Sequence, residues 1–375
     1  GANAEGLRMG EGGGSNNTVD INGTLNFPAA QANRIGHNSN TTSATNAINV
    51  NSGGILYSEG DLVLGFSGGA GSTNSLNIDG GTVNVASATT RWMIIGNWDA
   101  LNTTTDIKNG GSLNLKAGTD LKMGMNTNVS GTHTINVDGG TLAGTVAGGN
   151  GTDVELGRAA TTGNYVLNIK NGGQANLQAI YTNANSTSAV VNFDNGTLKA
   201  LGNDANWIRL NGTGTKQVNI LAGGANFDSN GFDVTLGNVV GGIGDLAKAG
   251  AGKLTLGSAP TYTGATHVNA GTLIMGGAAS TSSLNVVSGA TLGVEQPAVP
   301  IGSLTVATAN FADGATLNIE TGSSNASEKL VVSGSGGLTF PFGGETLNVN
   351  LYDDNTTNGA FAGTYTVFEY TSFYT

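Results

Sequence analysis

The sequence predicts an all-β fold, a parallel right-handed β-solenoid with coils of about 28 residues. Two landmarks recurring in step with each other carry that prediction. A third observation supports it: short runs of Val, Ile and Leu alternate with polar residues and are separated by glycine turns, with no stretch of helical periodicity.

The first landmark is a strand that ends in an aliphatic residue followed by glycine. It reads Leu7-Arg8-Met9-Gly10, Asn33-Arg34-Ile35-Gly36, Leu62-Val63-Leu64-Gly65, Met93-Ile94-Ile95-Gly96, Leu121-Lys122-Met123-Gly124 and Val154-Glu155-Leu156-Gly157, and again Val234-Thr235-Leu236-Gly237. Ile208-Arg209-Leu210-Asn211 is the same element with Asn in place of Gly, and Ile180-Tyr181-Thr182-Asn183 is a weaker copy. The second landmark is an Asx followed by an apolar residue: Asp20-Ile21, Asn49-Val50, Asn77-Ile78, Asp106-Ile107, Asn136-Val137, Asn168-Ile169, Asn192-Phe193 and Asn219-Ile220. The spacing between these copies averages about 28 residues, inside the range of solenoid repeats. One coil then reads strand, loop, strand, turn, strand, and each strand buries alternate residues. Such a coil cannot bury its apolar face alone and must stack on its neighbours.

Composition limits the function. Glycine supplies 63 of 375 positions, charged residues only 10%, and there is no cysteine, so disulfides and thiolate metal sites are excluded. The net charge of −11 argues against nucleic acid or an anionic membrane as the main partner. No apolar run is long enough to span a bilayer. Because Gly1 already lies within the repeat pattern, the chain is expected to be a processed piece of something longer.

From Gly241 the pattern changes. Gly252-Lys253-Leu254-Thr255-Leu256-Gly257 is followed by Tyr262-Thr263-Gly264 and by Val268-Asn269-Ala270-Gly271-Thr272-Leu273. This stretch resembles the autotransporter-associated β-strand repeat of autotransporter passenger domains and large bacterial surface proteins. The resemblance implies a secreted β-solenoid at the cell surface of a Gram-negative-type bacterium, and it implies no single activity. The expected organisation is regular coils over 1–240, autotransporter-type repeat coils over 241–300, and C-terminal strands over 301–375 forming a cap or terminal β unit.

Stacking the first landmark gathers Asp120, Lys122, Asp153, Glu155 and Tyr181 on one outward face, flanked by Trp92, Trp207 and Arg209. Paired carboxylates could serve as a glycan acid/base pair and the tryptophans could stack on sugars. Charged neighbours across a ladder are also ordinary sheet chemistry. His37, His133 and His267 fall at different phases of the coil, so stacking does not unite them. The Asx-Gly pairs beginning at Asn22, Asp79, Asn109, Asp138, Asn171 and Asn195 are read as turn chemistry. No resident cofactor is expected. Calcium is the one cation left open, because Gly241-Gly242-Ile243-Gly244-Asp245 approaches a Ca²⁺-binding repeat but places Asp one residue early and occurs once.

The leading expectation is a non-enzymatic extracellular solenoid: an adhesin, stalk, matrix component or filament subunit, its partners being glycans, surfaces or copies of itself stacked end to end. The alternative is a β-helix that binds or degrades polysaccharide through the Trp92–Arg209 face.

Overall fold

The computed structural model describes residues 6–10, 16–27, 32–37, 43–67, 69–85, 92–99, 101–116, 119–127, 129–147, 150–159, 162–183, 188–275, 282–295, 303–321, 327–340, 346–352 and 366–370. Among these there is no helix, and the chain is a parallel β-solenoid. It divides into two compact units: Gly1–Gly202 with Trp207–Gln217, and Asn203–Asn206 with Val218–Thr375.

In the first unit each full coil contributes one strand to each of three parallel sheets. One such coil runs Trp92–Ile95, Leu101–Lys108 and Ser112–Leu115. Leu64, Ile95, Met123 and Leu156 stand opposite one another in consecutive first-sheet strands, and none is exposed to solvent. Each fully buried aliphatic side chain of this kind contributes roughly 1.5–3 kcal/mol. The second landmark lies on the outer face of the second sheet. There each Asn side chain donates to the Asx before it: Asn49 to Asp20, Asn77 to Asn49, Asn136 to Asp106, Asn168 to Asn136 and Asn192 to Asn168, all at 2.7–2.8 Å. That ladder is why Asx recurs once per coil.

The glycine of the first landmark has an equally specific cause. The second sheet's inner face carries a polar column in which Asn46, Asn74, Thr103, His133 and Tyr165 are opposite one another in successive coils, all buried. Gly96 has φ +73°, and a Cβ on it would collide with the His133 ring. Glycine therefore serves both the backbone turn and the close approach.

In the second unit the second sheet has its last assigned strand at Val240–Gly242, where the sequence pattern changes. Beyond it the chain continues that side through Thr261 and Thr263, whose amides donate to Val240 and Gly242. The coils shorten accordingly: Leu254 stands opposite Leu273, which is 273 − 254 = 19 residues, against 28 between Ile95 and Met123. Further on, a new parallel sheet of Ser303–Val306, Lys329–Val332 and Phe368–Tyr370 forms beside continuing strands of the first and third sheets.

Candidate functional site

The first sheet of the first unit brings most of the expected residues together. Register pairs Trp92 with Asp120, Lys122 with Glu155, and Tyr181 with both Glu155 and Arg209. Lys122, Glu155, Tyr181 and Arg209 line one cleft of about 400 Å³, together with Arg158, Thr182 and Asn183.

The face is less open than alternation suggests. Lys122 and Glu155 are 5% and 4% exposed, and Val63 and Ile94 in the same column are buried as well. Lys122 pairs with Asp120 at 3.2 Å and with Glu155 at 3.4 Å, and its ammonium lies 5.2 Å from the Trp92 ring. Arg158 completes the network, 3.7 Å from the Glu155 carboxylate and 5.1 Å from the same ring. Glu155 thus serves two cations. Asp120 also accepts the amide of Asp153 at 3.4 Å, as Asp61 accepts that of Trp92 at 3.0 Å. The strand-entry carboxylates of Asp61 and Asp120 therefore hold the next coil in register.

Trp207 is the exception among the expected residues. It is fully buried, and its indole N–H donates to the Leu177 carbonyl at 3.1 Å. The pairing of Ile180 with Ile208 sets it beside Ala179 in register, and its indole reaches the Leu177 carbonyl of the preceding coil. It is not a surface for sugars.

At the other end of the cleft the Arg209 guanidinium lies 5.6 Å from the Tyr181 ring and forms no ion pair among the described residues. Burial, followed by the charges of Glu155, Asp153 and Asp120, pushes the Tyr181 phenol above its ordinary range, so it stays protonated and can donate. Arg158 was not legible as a site residue, because it follows the landmark glycine and belongs to no strand.

The histidines remain apart. His133 is in the core, stacked on Tyr165 at 5.4 Å and bonded through Nδ1 to the Thr103 hydroxyl at 2.9 Å, and burial lowers its pKa to about 4. His267 lies on the third sheet, 3.8 Å from Asp245. The side chain of His37 lies outside the described residues. At the turns, Asn109, Asn171 and Asn195 have positive φ, while Gly80 and Gly139 take it after Asp79 and Asp138. Hydrogen bonds from Asn109 and Asn171 hold those two carboxyls below the usual range. Among the described residues no group of three His, Cys, Asp or Glu is placed to hold a metal ion. No helix there is long and apolar enough to cross a membrane.

A protein-family model, the passenger-associated-transport-repeat, matches residues 246–275. No curated protein matches the chain. The matched residues form the short coils built from Leu246–Ala249, Lys253–Leu256, Thr266–Val268 and Thr272–Met275. The chain is thus a β-solenoid that carries one stretch similar to the autotransporter passenger repeat, and that repeat suggests a secreted or surface location in Gram-negative bacteria.

Proposed function

We propose that this passenger-like solenoid is an extracellular adhesive and structural element that holds glycans or surfaces and does not turn them over. The observation that carries the reading is the state of the charges in and beside the cleft. Asp120, Lys122, Glu155 and Arg158 are paired with one another, whereas Arg209 and Tyr181 present donors without a hydrogen-bonded or ion-paired protein partner among the described residues. Carboxylates occupied in this way make a binding surface. An acid/base pair must be open to the scissile bond and a water.

The test is adsorption of the whole chain to surfaces coated with neutral or acidic polysaccharides, followed by surface plasmon resonance. Saturable retention on at least one coating is expected, and retention on none would remove the adhesive reading. End-to-end stacking of subunits is a second element of the proposal. Wherever the end coil of a solenoid is uncapped, its unpaired strand edges invite pairing with another copy. Sedimentation at rising concentration should reveal a ladder of oligomers, and a strict monomer would dismiss stacking.

A further inference from the structure

We infer that the Arg209–Tyr181 end of the cleft binds the oxyanion of an acidic glycan, a uronate carboxylate or a sugar sulfate. The inference rests on the adhesive reading above and gives it a ligand class.

The charge distribution comes first. The chain carries −11 overall and only 14 Lys and Arg residues, yet three of those cations line this one cleft against a single lining carboxylate, Glu155. Asp120 and Asp153 stand on the same strands but do not line it. Within the network, Lys122 and Arg158 are compensated by Asp120 and Glu155. Arg209 is the cation left over, and its guanidinium contacts the Tyr181 ring. A guanidinium presents parallel N–H donors that match a carboxylate or sulfate in two-point contact, which a lysine cannot reproduce.

Tyr181 adds a neutral donor beside that fork. Its hydroxyl makes no hydrogen bond among the described residues and stays protonated. The Tyr181 ring, with the Arg209 guanidinium 5.6 Å from its centroid, also lines the cleft and gives it an aromatic surface suited to the apolar face of a sugar ring. A cationic ligand would meet Arg209 with no acid to balance it. A neutral glycan would leave that guanidinium without a charged partner.

Calorimetric titration of the whole chain with an oligogalacturonate, a heparin-derived oligosaccharide and a neutral malto-oligosaccharide tests the inference. Binding of one or both acidic ligands is expected, weakening as salt rises, with none for the neutral one; the two acidic arms separate carboxylate from sulfate recognition. Arg209→Gln should weaken acidic binding about tenfold or more, Arg209→Lys should fall between, and Tyr181→Phe should cost less, because charge-assisted bidentate contacts are the strong ones. Lys253→Gln, in the other unit, should bind as the parent does. Equal binding of the neutral ligand, no binding of either acidic one, or acidic binding unchanged in Arg209→Gln would each overturn the inference. Retention on a coated surface that survives Arg209→Gln would sink the cleft and leave the adhesive reading standing. Retention on no surface would sink the adhesive reading itself.

Discussion

The three-sheet coils of the first unit and the short coils at 246–275 bury polar groups in opposite ways. The second-sheet strands of the first unit reach nine residues in Ser130–Asp138 and Thr162–Lys170, long enough to stack a polar column of Asn46, Asn74, Thr103, His133 and Tyr165 along the interior. That column is incompletely satisfied. Asn46 donates to Asn74 at 2.9 Å, but His133 Nε2 and the Tyr165 hydroxyl have no hydrogen-bond partner among the described residues. The short coils replace that side with Thr261–Thr263, where Tyr262 is buried and its hydroxyl bonds Thr266 at 2.6 Å. Their buried cation, Lys248, donates to the carbonyls of Ala249, Gly250 and Ala270 at 2.7–3.0 Å, one acceptor for each ammonium proton. The long coil thus tolerates unmet polar atoms, and the short one meets them. The difference shows that coil length here follows from how much of the second side is retained.

The glycines give the sharpest way to break that comparison. Gly96 and Gly110 both have positive φ, but only Gly96 faces the polar column, while nothing lies within 4 Å of a Cβ on Gly110. Gly96→Val should cost ~4 kcal/mol or more and Gly110→Ala about 1 kcal/mol in urea denaturation, since overpacking adds to backbone strain only at the first. Equal costs would mean that the column does not dictate the landmark glycine.

Titration separates the two regions by pH window. The His133 pKa of about 4 lies below its ordinary 6.5, so between these values the unfolded chain binds more protons. Stability should be fully present above pH 6.5 and fall by about 3 kcal/mol as the pH drops to 4, a loss that His133→Asn should remove. The Lys248 pKa, lowered to about 8 by burial, also lies below its ordinary 10.5. The short coils should therefore gain about 3 kcal/mol between pH 8 and 10.5, and Lys248→Met should show no such gain. Amide exchange on each unit, followed against pH, reads both windows. Parallel profiles in the two units would contradict the assignment.

The smallest expected effect has the opposite sign. Tyr165→Phe removes a buried hydroxyl that lacks a partner and should stabilise the first unit by about 1 kcal/mol, whereas Tyr262→Phe, which breaks the bond to Thr266, should destabilise the second by a similar amount. Thermal denaturation of the two variants decides it.

Much of the fold was legible because its signals are local and repeated. The aliphatic-Gly landmark fixed the first sheet's register from Met9 to Leu156, and Asx fixed the second's from Asp20 to Asn192. The polar column could also have been read, since His133-x-Ile135-x-Val137 and Tyr165-x-Leu167-x-Ile169 continue the inward alternation. The site was legible only in part. Strand register brings Lys122, Glu155, Tyr181 and Arg209 together, so spacing alone located them. Trp207 turned inward to a backbone carbonyl, a tertiary fact that alternation does not carry. Arg158 entered from a loop, and the burial of Lys122 and Glu155 depends on Trp92 and on the ion pairs that cover them.

The most direct test of the account is a depolymerisation screen of the whole chain on neutral and acidic polysaccharides, measuring new reducing ends and unsaturated products. The account expects none, because Glu155, the carboxylate that lines the cleft, is held in ion pairs with Lys122 and Arg158. Product that disappears in Glu155→Gln would contradict it and make the cleft an active site.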